Sequence, residues 1–175
     1  MNKLKKNLVL TGMMGSGKTT IGKSLSQRLE MGFADVDTII EKKIGLSISE
    51  IFKKKGEKAF RDMEEIETKK ILKKTNLIIA LGGGAFINEN IRNETKKNSV
   101  SVWLDLDVEM LYKRVKESKK RPLLKNSSKE ELIKIYNSRE KIYSYADFKV
   151  QCRSKNKEQI ITEVLQIYED GKNYS

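Results

Sequence analysis

The residues best suited to chemistry come in one run, Gly12-Met13-Met14-Gly15-Ser16-Gly17-Lys18-Thr19-Thr20. Gly12, Gly17, Lys18 and Thr19 fill the four fixed places of G-x-x-x-x-G-K-[ST]. The pattern carries meaning when a strand leads in and a helix leads out. Both flanks are present: the apolar Leu8-Val9-Leu10 before it and a helix-period segment over residues 21–29 after it. Glycines let the backbone curl so that several N–H groups aim at a polyphosphate, and the helix start adds the positive end of its dipole. The motif predicts nucleotide binding, with Lys18 neutralising the β- and γ-phosphates and the Thr19 hydroxyl ligating Mg²⁺. A glycine-rich turn with no ligand is the alternative, and the flanks argue against it.

Four other groups carry chemistry. Asp35 and Asp37 are two apart on a short predicted strand, so both carboxylates point to one side. One could hold Mg²⁺ through water and the other could take or orient the proton of an attacking hydroxyl; alternatively, Asp37 caps the next helix. Gly82-Gly83-Gly84 follows an apolar strand; three glycines admit positive φ and let a ligand lie on bare backbone, where a simple turn would need fewer. Arg61 and Glu64, three apart, share a helix face. They read either as an exposed pair or as a substrate-carboxylate grip, with Glu64 holding Arg61 in place. Arg121, before the single proline Pro122, reads as a lid arginine or a solvated turn. Arg114 could lay its plane against a purine, and Arg139, one turn before Tyr143, could be a second carboxylate grip or a surface arginine.

The elements that must position these groups alternate. Strands are predicted over 6–10, 32–37, 77–81, 100–104 and 148–152. Helices are predicted over 17–31, 38–44, from a Ser47/Glu50 capping box to Gly56, and over 57–72, 88–97, 108–117, 129–145 and 157–168. That alternation predicts an α/β fold: a five-stranded parallel sheet with helices on both faces and ligands beyond the strand carboxyl ends. The glycine-rich run, the aspartate pair and the triple glycine all fall at such ends. Two stretches read as excursions: about 36–64, and a lid loop about 116–128.

Length and composition exclude several classes. At 175 residues one domain is expected. Histidine is absent and Cys152 is the single cysteine, which argues against a disulfide, a zinc site, and Ser-His or Cys-His nucleophiles. No apolar run approaches a membrane span, and residues 1–10 do not read as a signal peptide, so a cytoplasmic protein is expected. Net charge is +12, but the lysines are scattered in twos and threes among glutamates and lack aromatic interleaving. A solvated basic surface fits them better than a nucleic-acid interface.

Taken together the residues resemble the shikimate kinase family, within the nucleoside monophosphate kinase-like P-loop fold. The matching stretches are residues 12–22, Phe33-Ala34-Asp35-Val36-Asp37, residues 56–64, Leu81-Gly82-Gly83-Gly84-Ala85, Arg121-Pro122-Leu123-Leu124, and Arg139 with Tyr143. They run in the family's order over nearly the whole chain. The resemblance implies a single kinase domain that transfers the ATP γ-phosphoryl group to the 3-hydroxyl of shikimate, a step of aromatic amino-acid biosynthesis. It implies that Gly15, Ser16, Gly17, Lys18, Thr19 and Thr20 hold the ATP phosphates, with Thr19 on Mg²⁺ and Asp35 supporting the metal. Asp37 would bind and activate the hydroxyl. Arg61 and Arg139 would hold the shikimate carboxylate, and the Gly83 backbone a ring hydroxyl. Arg121 would be the lid arginine, while Arg114 and Arg153 flank adenine. Lys18 and Arg121 join Asp37 as catalytic residues. A monomer that binds neither nucleic acid nor membrane is expected.

Three rivals are weighed. A gluconate-type kinase shares the phosphate loop but not the combination of Asp35-Val36-Asp37, Phe60-Arg61 and three glycines. A GTPase switch would need Asn-Lys-x-Asp, and Asn156-Lys157-Glu158-Gln159 ends in the wrong residue. Nucleic-acid binding would rest on charge alone.

Overall fold

The apolar run before the glycine-rich turn forms β1 (Asn7–Thr11), buried at every position. A computed structural model of the chain describes residues 6–117 and 128–171. Among them, β1 pairs with β3 (Leu77–Ala80) on one side and β4 (Ser99–Asp105) on the other. The edges are β2 (Gly32–Asp35), against β3, and β5 (Phe148–Gln151), against β4. Every pairing is parallel, in the order β2-β3-β1-β4-β5. The central strands β1, β3 and β4 are buried almost throughout because both sheet faces are covered, although β4 carries two serines, whereas β2 and β5 are partly exposed.

Seven α-helices are described: α1 (Lys18–Leu29), α2 (Val36–Ile44), α3 (Ile48–Leu72), α4 (Glu89–Asn98), α5 (Val108–Glu117), α6 (Lys129–Tyr143) and α7 (Lys157–Gly171), with a 3-10 turn over Ala85–Ile87. They lie on both faces of the sheet. Leu10 stands opposite Val102 in the register, and Leu8 opposite Val100, so these four side chains share a face. Gly22 of α1 sits over Leu10, and Gly171 of α7 over Val100. A Cβ on Gly22 would come 2.6 Å from the Phe33 ring, so only glycine lets α1 lie this close to the sheet. Trp103 faces the opposite side, where its ring meets Tyr143 of α6 with centroids 5.8 Å apart. Sheet and helices bury a single apolar cluster from Leu8 to Tyr168.

Most expected spans agree with the structure to within one or two residues, the usual uncertainty of helix and strand ends. The expected break at Gly56 is present: the residue is non-helical, at φ 82° and ψ 167°, and forms a kink between the two helical halves of α3. Two expectations need correction. Asp37 is not on a strand with Asp35, because β2 stops at Asp35 and α2 starts at Val36. The residue capping α2 is therefore Asp35, whose side chain accepts from the Thr38 N–H, and not Asp37. The Ser47/Glu50 capping box is present, and a second, Ser128/Glu131, starts α6. Of the expected lid loop, residues 116 and 117 end α5 and Ser128 caps α6; Arg121 and Pro122 lie outside the described residues. Among the described residues no helix is long and apolar enough to cross a membrane.

Candidate active site

The phosphate-loop motif wraps the end of β1. Gly12 has φ +134°, and a Cβ there would lie 2.6 Å from the Leu104 carbonyl oxygen, so the turn excludes any side chain. Gly17, at φ +100°, precedes α1, and no side chain caps that helix. The first-turn N–H groups of an uncapped helix suit an anion. Lys18 is buried to 7% exposure, and its ammonium donates to the carbonyls of Gly12 and Met13, both at 2.8 Å. Thr19 donates its hydroxyl proton to Asp35 Oδ2 at 2.6 Å, bringing two oxygens together at the loop's mouth. Arg114 of α5 reaches the Gly15 carbonyl at 3.1 Å.

The triple glycine is where the second half of the site converges. A Cβ on Gly82 would lie 2.6 Å from Asp37 Oδ1 and 2.5 Å from Glu64 Oε1, and one on Gly84 2.6 Å from Arg61 Nη1. None of the three glycines has a positive φ, so the expectation of unusual backbone torsion is wrong. They are needed for clearance: the chain's own carboxylates and guanidinium rest on bare backbone. The Gly83 carbonyl accepts from Arg139 Nη1 at 3.1 Å and from the Tyr143 hydroxyl at 2.5 Å. Arg61 donates to Glu64 Oε2 at 2.7 Å, and its guanidinium lies over the rings of Phe60 and Phe52.

Electrostatics bind these groups into one cluster. Burial pushes the Glu64 carboxyl up, and nearby Asp37 pushes it further, while Arg61 and Arg139 pull it down without cancelling the rise. Burial works against the charge of Arg61, but Glu64 and Glu57 more than offset that. The two partners thus respond differently because Glu64 is the more deeply buried, at 2% side-chain exposure against 32%. The Arg61–Glu64 pair is therefore no surface ornament. Tyr143 is raised, chiefly by burial.

A cavity of about 760 Å³ opens over the phosphate loop. Gly15, Ser16, Gly17, Lys18, Thr19 and Thr20 line it, together with Asp35, Asp37 and Arg114. Arg61, Gly83 and Arg139 do not line it; Asp37 does, and it meets Glu64, the partner of Arg61, at Gly82. Arg153 is exposed and does not line the cavity; Lys155, Lys157 and Ile160 form that side. Sequence reasoning missed those lysines, because nothing in Cys152-Arg153-Ser154-Lys155 says which side chain turns inward. It also missed Glu57, although a carboxylate four residues before Arg61 is itself a signal. Among the described residues no group of three or more acidic, cysteine or histidine side chains forms a metal cage.

Comparison with known proteins identifies the family. The shikimate kinase family model matches residues 14–169. A shikimate kinase of Persephonella marina is 39% identical over 160 residues, 91% of this chain and 97% of that one. One from Aquifex aeolicus is 42% identical over 158 residues, 90% of this chain and 93% of that one. The Acinetobacter baumannii shikimate kinase solved in complex with shikimate superposes with a TM-score of 0.90 at 31% identity, covering 96% of this chain and 95% of that one. The Aquifex aeolicus crystal structure gives a TM-score of 0.83 at 40% identity, over 95% and 98% of the two chains. With a family model spanning most of its length and relatives close to 40% identical, the chain belongs to the shikimate kinase family.

Proposed function

We propose that this chain phosphorylates the 3-hydroxyl of shikimate from ATP with the residues described above in defined roles. The observation that carries the assignment is the position of Asp37. Its carboxylate lines the same cavity as Lys18 and lies against Gly82 beside Glu64, which holds Arg61. A hydroxyl bound at Asp37 therefore stands between a phosphate cradle and an arginine pocket.

In this reading the loop amides of residues 15–20 and the Lys18 ammonium hold the ATP phosphates. Arg61 and Arg139 hold the substrate carboxylate, the Gly83 backbone holds a ring hydroxyl, and Asp37 takes the proton of the attacking 3-hydroxyl. A new O–P bond forms to the γ-phosphorus as its bond to the bridging oxygen breaks, leaving ADP. Phosphoryl transfer needs positioning and charge neutralisation more than covalent help, and both are built into rigid strand ends. Thr19 and Asp35 fit Mg²⁺: a close pair of hard oxygens beside the phosphates, with room for the waters that this ion retains. The ion would neutralise charge on the β- and γ-phosphates. Arg114 lies beside the loop as an adenine-side contact, and Arg153 is the less favoured one, since Lys155 and Lys157 face the cavity there. Residues about 36–64 act as the substrate-binding excursion, and about 116–128 as the lid that brings Arg121 to the phosphates. The same reading has one kinase domain working as a cytoplasmic monomer without nucleic acid or membrane. Several lysines pair with glutamates on the helices, which supports a solvated basic surface over a nucleic-acid interface.

The test is ADP release with shikimate, gluconate and other hydroxy acids, followed by single turnover of Asp37→Asn. We expect turnover with shikimate, near-normal ATP binding in the variant, and transfer slowed by about 10²–10⁴-fold, the usual worth of a positioned base. Rapid gluconate turnover, or an Asp37→Asn variant at full rate, would reverse the assignment.

A further inference from the structure

Arg61 meets two carboxylates of opposite character. Glu64 takes Nη1 at 2.7 Å and is fixed by burial against Gly82. Glu57, one turn earlier, takes the Nε/Nη2 edge with a single oxygen, Oε1, at 3.4 and 3.3 Å. Those bonds are long for a charge-assisted pair, which favours about 2.7–2.9 Å. A free carboxylate on that edge would use both oxygens in parallel. The Glu57 side chain is 66% exposed and directly follows the Gly56 bend, so it can swing into water at little cost. The other sides of the guanidinium are taken by Gly84 and the Phe52 and Phe60 rings.

We propose that Glu57 is an internal stand-in for the substrate carboxylate, occupying the fork of Arg61 until a better carboxylate displaces it. This rests on reading Arg61 as the carboxylate grip. Its consequence is selectivity. A small carboxylate that reaches Arg61 alone gains little by displacing Glu57. One carried on a body that also reaches Asp37 and Arg139 gains enough.

Steady-state kinetics of Glu57→Ala and Glu57→Asp test it, the latter keeping a charge at the helix bend while shortening the reach. Both should lower KM for shikimate by about two- to fivefold, the worth of one exposed ion pair, with kcat and the KM for ATP near wild-type values. Inhibition by acetate should strengthen by a similar factor. A KM that rises or stays put in both variants, with acetate inhibition unchanged, would overturn the proposal and make Glu57 a support for Arg61. A KM for shikimate indifferent to Arg61→Ala would overturn the underlying grip instead, so the two failures are told apart.

Discussion

Glu64 shows how a single residue holds the site at an energetic cost. It must be ionised to fix Arg61, yet burial and Asp37 both favour its neutral form, so its carboxyl titrates above the ordinary 4.5. As pH falls through that raised value, the Arg61 contact loses its charge, and KM for shikimate should climb while KM for ATP does not. Glu64→Gln should abolish this pH dependence and raise KM about tenfold or more, in line with losing a hydrogen bond between charged groups. Stability should respond with the opposite sign. A raised folded-state value contributes stability that is complete below the unfolded value and is lost as pH rises through the folded one. Melting curves of the wild type should therefore fall more from mildly acidic to neutral pH than those of Glu64→Gln. At this scale the sequence was readable where helix spacing decides, as for Arg61 and Glu64. It misled where a single boundary residue decides: Asp35 ends β2 and caps α2, so it and Asp37 are not strand neighbours. It was incomplete for the triple glycine, whose purpose depends on side chains arriving from α2 and α3.

Among the elements, α3 has the most consequential shape. Its first half, started by the Ser47/Glu50 box, carries Phe52; its second half carries Phe60, Arg61 and Glu64; Gly56 sets the angle between them. Nothing lies within 4 Å of a Cβ at Gly56, so space would admit alanine there. The obstacle is torsional: φ 82° with ψ 167° is a region essentially reserved for glycine. Gly56→Ala must therefore either carry strain of about 1–3 kcal/mol or straighten the helix. Strain alone would lower the melting temperature by roughly 3–10 °C for a chain of this size and leave KM alone. Straightening would move Phe52 off Arg61 and raise KM for shikimate as well. We expect both changes together, because the bend is what brings Phe52 against Phe60, with centroids 4.8 Å apart. Calorimetry alongside KM determination decides it, and a variant that melts lower with KM unchanged would rule out a role in shaping the pocket. A glycine within a helical pattern is visible in sequence as a breaker, but whether the chain turns away or merely bends depends on what the two halves pack against.

The whole molecule carries +12, and the placement of that charge matters more than its amount. Five cationic side chains line the cavity, Lys18, Lys23, Arg114, Lys155 and Lys157, against the two carboxylates Asp35 and Asp37. Both substrates are anions. The composition alone could not separate a nucleic-acid surface from an anion-attracting cleft, because it says nothing of where the lysines fold to; the parallel sheet and its loop ends settle that five cations border one cavity. A cleft with low-dielectric walls focuses such a field and speeds the arrival of anions. Salt screens it, since the Debye length shrinks from about 30 Å at 0.01 M to about 8 Å at 0.15 M. kcat/KM for shikimate and for ATP should therefore fall by about three- to tenfold as ionic strength rises across that range, whereas kcat, set by groups already in contact, should hardly change. Replacing the cavity lysines Lys23 and Lys157 by glutamine should flatten the salt dependence for ATP, while the same replacement at Lys73 and Lys74, on the exposed turn after α3, should leave it as steep as before. If the exposed pair matters as much as the cavity pair, the field comes from total charge, and the focusing ascribed to the cleft is wrong.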